Sequence, residues 1–174
     1  IAWTYNPLLR GNANFNLHRL GATTSVYHPD YYGIMRDSLN AAIPSDRLEA
    51  VWKLTDTRVK RLAEGKAPAP VVKTFPADAF LLRADAHDSP IVSNLKTLPQ
   101  PYAFAQIPRH TTALSADIQE AWRSALQSTF QTAFAAGYVA VDFLNAGGAD
   151  VYVLRAPTHW SLYVLQCADN SLYT

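Results

Sequence analysis

The side chains best suited to chemistry gather in the first 47 of the 174 residues. Asn12, Asn14 and Asn16 bring three amides together within five positions. His18 follows them, an imidazole of the kind that exchanges a proton near neutrality. Tyr31 and Tyr32 are adjacent phenols, which can donate a proton where their surroundings allow. Asp46 and Arg47, with Asn40 nearby, supply a carboxylate and a guanidinium. That pair either holds a loop as an internal ion pair or orients an amine or carboxylate substrate. Each residue also has a plain structural role: amides cap helices and make local Asx bonds, and tyrosines pack. Other chemistries are not written in the chain. His18, His28, His87, His110 and His159 show no H-x-x-x-H or H-x-x-E-H spacing, so a zinc hydrolase is not expected, and no metal is assigned. There is no G-x-S-x-G elbow and no Walker loop, and NAGGAD at 145–150 reads as a hairpin turn.

The elements that must position these groups begin with WTYNPLLRGNANFNLHRLGA at 3–22. Its start is extended and apolar, and Pro7 ends the strand or marks its edge. Leu9, Ala13, Leu17 and Leu20 then fall on one helical stripe, with Asn12 as the expected N-cap and Gly21 as the left-handed stop. Strand, polar turn and helix start can present N–H groups and amides to an anionic or amide-bearing ligand. Residues 22–28 and 48–54 read as strands, the second alternating Leu48, Ala50, Trp52 and Leu54 on one side. Between them, Ile34, Met35, Leu39 and Ile43 fit one short helical face. Asp56 caps a short helix that Gly65 stops.

KAPAP at 66–70 is a stiff, helix-disfavouring linker, and a subdomain boundary is expected there, separating 1–65 from 71–174. Short strands are expected at 71–75, 79–84 and 90–94, and another at 102–108. A long helix starts at Ser115 and closes at Gly137, with Ile118, Trp122, Leu126, Phe130 and Phe134 recurring every four residues. Strand 138–144, a turn and strand 151–156 form a hairpin. Trp160, Leu162, Tyr163, Val164 and Leu165 mark the end of the chain as packed. No internal repeat stands out in the sequence. The expected class is α/β or α+β, a mixed sheet covered by helices.

Composition sets the broad limits. Apolar residues make up 49% and charged residues 17%, the balance of a folded globular chain. A formal net charge of +1 argues against an extended nucleic-acid surface. No apolar run approaches the 18 residues of a membrane span, and no secretory leader pattern stands at the start. The single Cys167 excludes an internal disulfide and suits a reducing cytoplasm.

The opening stretch resembles the strand and following helix of the acetyl-CoA-binding core in GNAT-superfamily acyltransferases, where Asn-x-x-Ala-x-x-x-Tyr-x-x-x-Gly-Phe is common. Ala13 and Gly21 match, while Arg10, Leu17 and Ala22 stand in the Asn, Tyr and Phe places. A branch of predicted GNAT-type acetyltransferases is more similar still. Its blocks appear here in order as WTYNPL at 3–8, NANFNLHRLGA at 12–22, YYG at 31–33 and NAAIPSDR at 40–47.

The resemblance implies acyl transfer from acetyl-CoA or another acyl-CoA to a small amine. Asn12, Ala13 and Asn14 would then contact the cofactor arm, and Asp46 and Arg47 the substrate. Because Leu17 stands in the place of the usual acid, His18 or Tyr32 takes the proton-transfer role, Tyr31 being the other phenol at hand. The superfamily's pyrophosphate loop, Arg/Gln-x-x-Gly-x-Gly/Ala, is absent, and RLAEGKA at 61–67 is one residue too long. The chain begins at Ile1 inside a strand-like run, so it reads as the C-terminal part of a longer protein whose main cofactor clamp lies elsewhere. A homodimer, or pairing of the strand near Trp3 with a missing segment, is expected. The alternative is a ligand- or partner-binding module without catalysis on the same scaffold.

Overall fold

The computed structural model describes residues 1–33 and 45–157. The expected helical face of Ile34, Met35, Leu39 and Ile43, Asn40, and the end of the chain with His159, Trp160 and Cys167 lie outside them. The fold is mixed α/β. It opens with β1 (Ala2–Tyr5), α1 (Arg10–Ala13) and a π-helical continuation over Asn14–Arg19. β2 (Tyr27–His28), β3 (Arg47–Val51) and α2 (Thr57–Ala63) follow, then β4 (Phe80–Ala84), β5 (Pro90–Val92) and β6 (Tyr102–Ile107). α3 (Ala116–Ala135) and the hairpin β7 (Val139–Ala146) and β8 (Ala149–Arg155) complete it.

The same strand–helix–strand–strand unit occurs twice. In the first, β1, the helical segment, β2 and β3 give the antiparallel order β1-β3-β2. In the second, β6, α3, β7 and β8 give β6-β8-β7, again antiparallel. Both helices stop at a glycine of positive φ, Gly21 at 72° and Gly137 at 83°. The chain just before β2 meets β7 of the second unit through an isolated bridge. Thr24 N donates to Ala140 O at 3.0 Å, and Ala140 N donates to Thr24 O at 2.8 Å. The second sheet is extended by β4, parallel to β6, and by β5, giving β5-β4-β6-β8-β7.

α3 forms where its pattern places it. Ser115 Oγ caps the Ile118 N–H, and Trp122, Leu126 and Phe130 are fully buried at four-residue spacing. Burial of side chains this size stabilises by roughly 2–3 kcal/mol each. They meet Ala103, Ala105 and Ile107 of β6 and Tyr152 and Leu154 of β8, alternate residues on one face of the sheet. The other face carries Phe104, Val141 and Val153, covered by Val71, Val72 and Phe75. The stretch 71–75, expected as a strand, is irregular chain laid over that face; its apolar residues serve as a cover and pair with no strand.

One buried cluster contains Tyr5, Leu17 and Leu48 from before the 66–70 segment and Trp122, Phe130 and Tyr152 from after it. The two sides of that segment therefore share a core. In the first helix, Leu9 is the N-cap, without a side-chain capping bond, and Asn12, the expected cap, lies inside the helix. Ala13 and Leu17 are buried as their stripe requires, while Leu9 is exposed. The helix widens into a π-turn where Asn16 Nδ2 donates to Asn12 O at 2.9 Å, engaging the carbonyl that a regular α-turn would give to the Asn16 N–H. Trp3 Nε1 holds Asn16 from the other side through Oδ1 at 2.9 Å.

Candidate functional site

The π-turn presents Asn14, His18 and Arg19 to a cleft of about 460 Å³. Its opposite wall is the end of α2 and the chain after it, with Leu62, Gly65 and Lys66. α2 is fixed there by Asp56, whose carboxylate caps the N–H groups of Arg58 and Val59.

Behind His18 stands a fully buried carboxylate, Asp142. His18 Nδ1 lies 2.8 Å from Asp142 Oδ1, and the imidazole is 19% exposed. A buried charge needs partners, and Asp142 has several. The Phe143 N–H donates to Oδ1 at 2.9 Å and the Val71 N–H to Oδ2 at 3.1 Å. Arg58 Nη2 stands 3.0 Å from Oδ1 but out of line for a hydrogen bond, so this contact is purely an ion pair. Arg58 Nη1 donates to Val141 O.

A β-bulge sets the position of this acid. β7 and β8 pair as Ala140 with Leu154 and Asp142 with Val153, leaving Val141 as an extra residue. Such a bulge re-aims the side chains around it. Asp142 thus leaves the alternation of its strand and faces the π-turn of the other unit. Among the described residues nothing hydrogen-bonds His18 Nε2. The arrangement is a histidine oriented by a buried carboxylate at the wall of an open cleft, which suits proton transfer.

The other sequence candidates disperse. Asn14 lines the cleft with His18, one turn away. Asn12 is exposed and its carbonyl is engaged by Asn16. Ala13 is fully buried, so its side chain packs the core. Tyr32 is exposed at the turn after β2, edge-on to Tyr31 at 5.0 Å and beneath the Arg47 guanidinium at 5.1 Å; it does not line the cleft.

Asp46 is closed in and pairs with Arg123, not with its neighbour Arg47. Its Oδ2 accepts from Tyr27 Oη at 2.6 Å, its Oδ1 from the Asp30 N–H at 2.9 Å, and both oxygens from Arg123 Nη1 at 3.2 Å. Burial, and then the Asp46 carboxylate, push the Tyr27 phenol far above its ordinary value, so it stays protonated as the donor. With both oxygens occupied, Asp46 ties the loop before β3 to α3 and has no lone pair left for a substrate.

Asp142, Arg58 and Lys66 did not stand out in the sequence. The one available signal for Asp142 is a lone acid in the apolar run YVAVDFL. Comparison of the chain with protein-family models, with curated proteins and with solved structures finds no match. Among the described residues no helix is long and apolar enough to cross a membrane.

Proposed function

We propose that the cleft around His18 is the proton-transfer centre of a GNAT-like, acyl-CoA-dependent N-acyltransferase acting on a small amine in the cytoplasm. The observation that carries this reading is the 2.8 Å contact between His18 Nδ1 and the buried Asp142 carboxylate. A carboxylate at Nδ1 favours the tautomer protonated there, leaving the Nε2 lone pair to accept a proton. An amine arrives as an ammonium ion, and acylation needs its lone pair. His18 Nε2 takes that proton while Asp142 balances the imidazolium. The amine nitrogen bonds to the thioester carbonyl carbon; as the carbon–sulfur bond breaks, that nitrogen releases its second proton to solvent, and His18 returns the first to the departing thiolate. Asn14, on the same wall, offers its amide to the acyl donor's arm.

The test uses the protein at its natural length, acetyl-CoA and a panel of small amines, with release of free thiol as the readout. The expected result is amine-dependent thiol release that falls about 100-fold in His18→Gln, with acyl-CoA affinity retained. Absence of thiol release with every amine, or an undiminished rate in His18→Gln, overturns the reading.

A second reading, a ligand-binding module without turnover, draws on one observation. Tyr32, the other candidate for proton transfer, lies outside the cleft. Saturable acyl-CoA binding with no thiol release would favour it.

A further inference from the structure

A second cleft, of about 300 Å³, lies beside the first, and Leu62 and Ala67 line both. The first carries Arg19 and Lys66, the second Arg58 and Arg61. Among the described residues, no aspartate or glutamate lines either cleft. Arg58 is balanced by Asp142 from behind. Arg19, Arg61 and Lys66 pair with no carboxylate among the described residues; the ion pairs there belong to Arg10, His18, His28, Arg58 and Arg123. Three uncompensated cations therefore border adjoining clefts in a chain whose formal net charge is only +1.

We infer that these two clefts form one binding site for the phosphoryl or pyrophosphoryl group of a small molecule, held by Arg19, Arg61 and Lys66 with Asn14 as an amide donor. A carboxylate ligand would neutralise one of the three cations, whereas a phosphate monoester or diphosphate matches them more nearly in charge. Guanidinium groups also meet phosphate oxygens with two parallel N–H donors. The ligand is a small molecule because these cations lie around two clefts in a chain of formal net charge +1; a polyanion needs an extended basic face. The inference does not depend on acyl transfer. If His18 moves no proton, the cations and the clefts remain.

The test is calorimetric titration of the intact protein with inorganic pyrophosphate at low salt, repeated on Lys66→Ala, Arg19→Ala and the double variant. Arg83→Ala, an exposed change on β4, is the control. All three cleft cations are exposed, so the variants should melt like the parent. The expected result is saturable binding that weakens about tenfold or more in each single variant, further in the double, and not in Arg83→Ala. Binding should also weaken as salt rises. No saturable binding, or binding that the cleft variants leave unchanged, overturns the inference. So does a short single-stranded oligonucleotide that binds through the same residues more tightly than pyrophosphate, which would point to a polyanion instead.

Discussion

Thr24 and Ala140 exchange both of their backbone hydrogen bonds, at 3.0 and 2.8 Å, although 115 residues lie between them in sequence. This bridge joins the chain before β2 of the first unit to β7 of the second, and the Thr24 hydroxyl beside it is buried without a partner among the described residues. A buried, unsatisfied hydroxyl costs about 1–3 kcal/mol. Thr24→Val keeps the shape and removes that group, so it should raise stability by about 1 kcal/mol in urea denaturation. Thr24→Pro removes the donor of the bridge and should lower stability by about 2 kcal/mol or more. A destabilising valine would show that the hydroxyl has a role other than filling space.

Asp142→Asn should be costly. It leaves Arg58 and His18 facing a neutral amide, and loss of one partner of a buried pair costs about 3–5 kcal/mol. Because Arg58 is 24% exposed, the lower end of that range is expected. Denaturant midpoints of the variant and parent measure it, and a change under 1 kcal/mol would mean that the carboxylate is not held as charged.

Gly21 and Gly65 separate backbone strain from crowding. Both have positive φ, 72° and 76°, and a Cβ at Gly21 would lie 3.0 Å from Leu62 Cδ1, whereas at Gly65 it would meet none of the described residues within 4 Å. Gly65→Ala should cost about 1 kcal/mol, the left-handed penalty alone. Gly21→Ala should cost more and should also disturb Leu62, which lines both clefts. Equal melting temperatures for the two variants would contradict this.

Glu120 links stability to pH. A hydrogen bond from Arg123 is the main cause that holds its carboxyl below the usual glutamate value. Above that value both folded and unfolded states are deprotonated, and the ion pair favours the fold. As pH falls, the unfolded chain takes up the proton first, so the contribution is lost on acidification. Glu120 is about half exposed, which limits the effect. Glu120→Gln should therefore be slightly less stable than the parent at pH 7, with the gap closing towards pH 3. A gap that widens on acidification would contradict it.

Much of the architecture was legible because its signals are local. The four-residue repeat from Ile118 to Phe134 with Ser115 and Gly137 at its ends, the alternation around Leu48 and Ala50, and the Asp56 cap all act within one turn or strand. The apolar residues of 71–75 misled because an irregular cover over a sheet face needs the same composition as a strand. The π-turn depends on Asn16 reaching back to Asn12 while held by Trp3, a contact that helical periodicity does not encode. The doubled unit was invisible because one helix is a short α-turn with a π continuation and the other spans 20 residues.

The site was half legible. His18 and Asn14 were readable as polar groups on a helix, and they do share a cleft. Asp142 was not, since the bulge at Val141 that turns it towards His18 leaves no mark in YVAVDFL. Asp46 stayed open between a loop ion pair and a substrate ligand because its partners Tyr27 and Arg123 are 19 and 77 residues away.

The most direct measurement is the nitrogen-15 NMR spectrum of the His18 imidazole, recorded for the parent and for Asp142→Asn. If Asp142 orients His18 for proton transfer, the neutral ring of the parent carries its proton on Nδ1 and a free lone pair on Nε2, and the variant loses that preference. A parent ring protonated on Nε2, or a tautomer that Asp142→Asn leaves unchanged, would contradict the account.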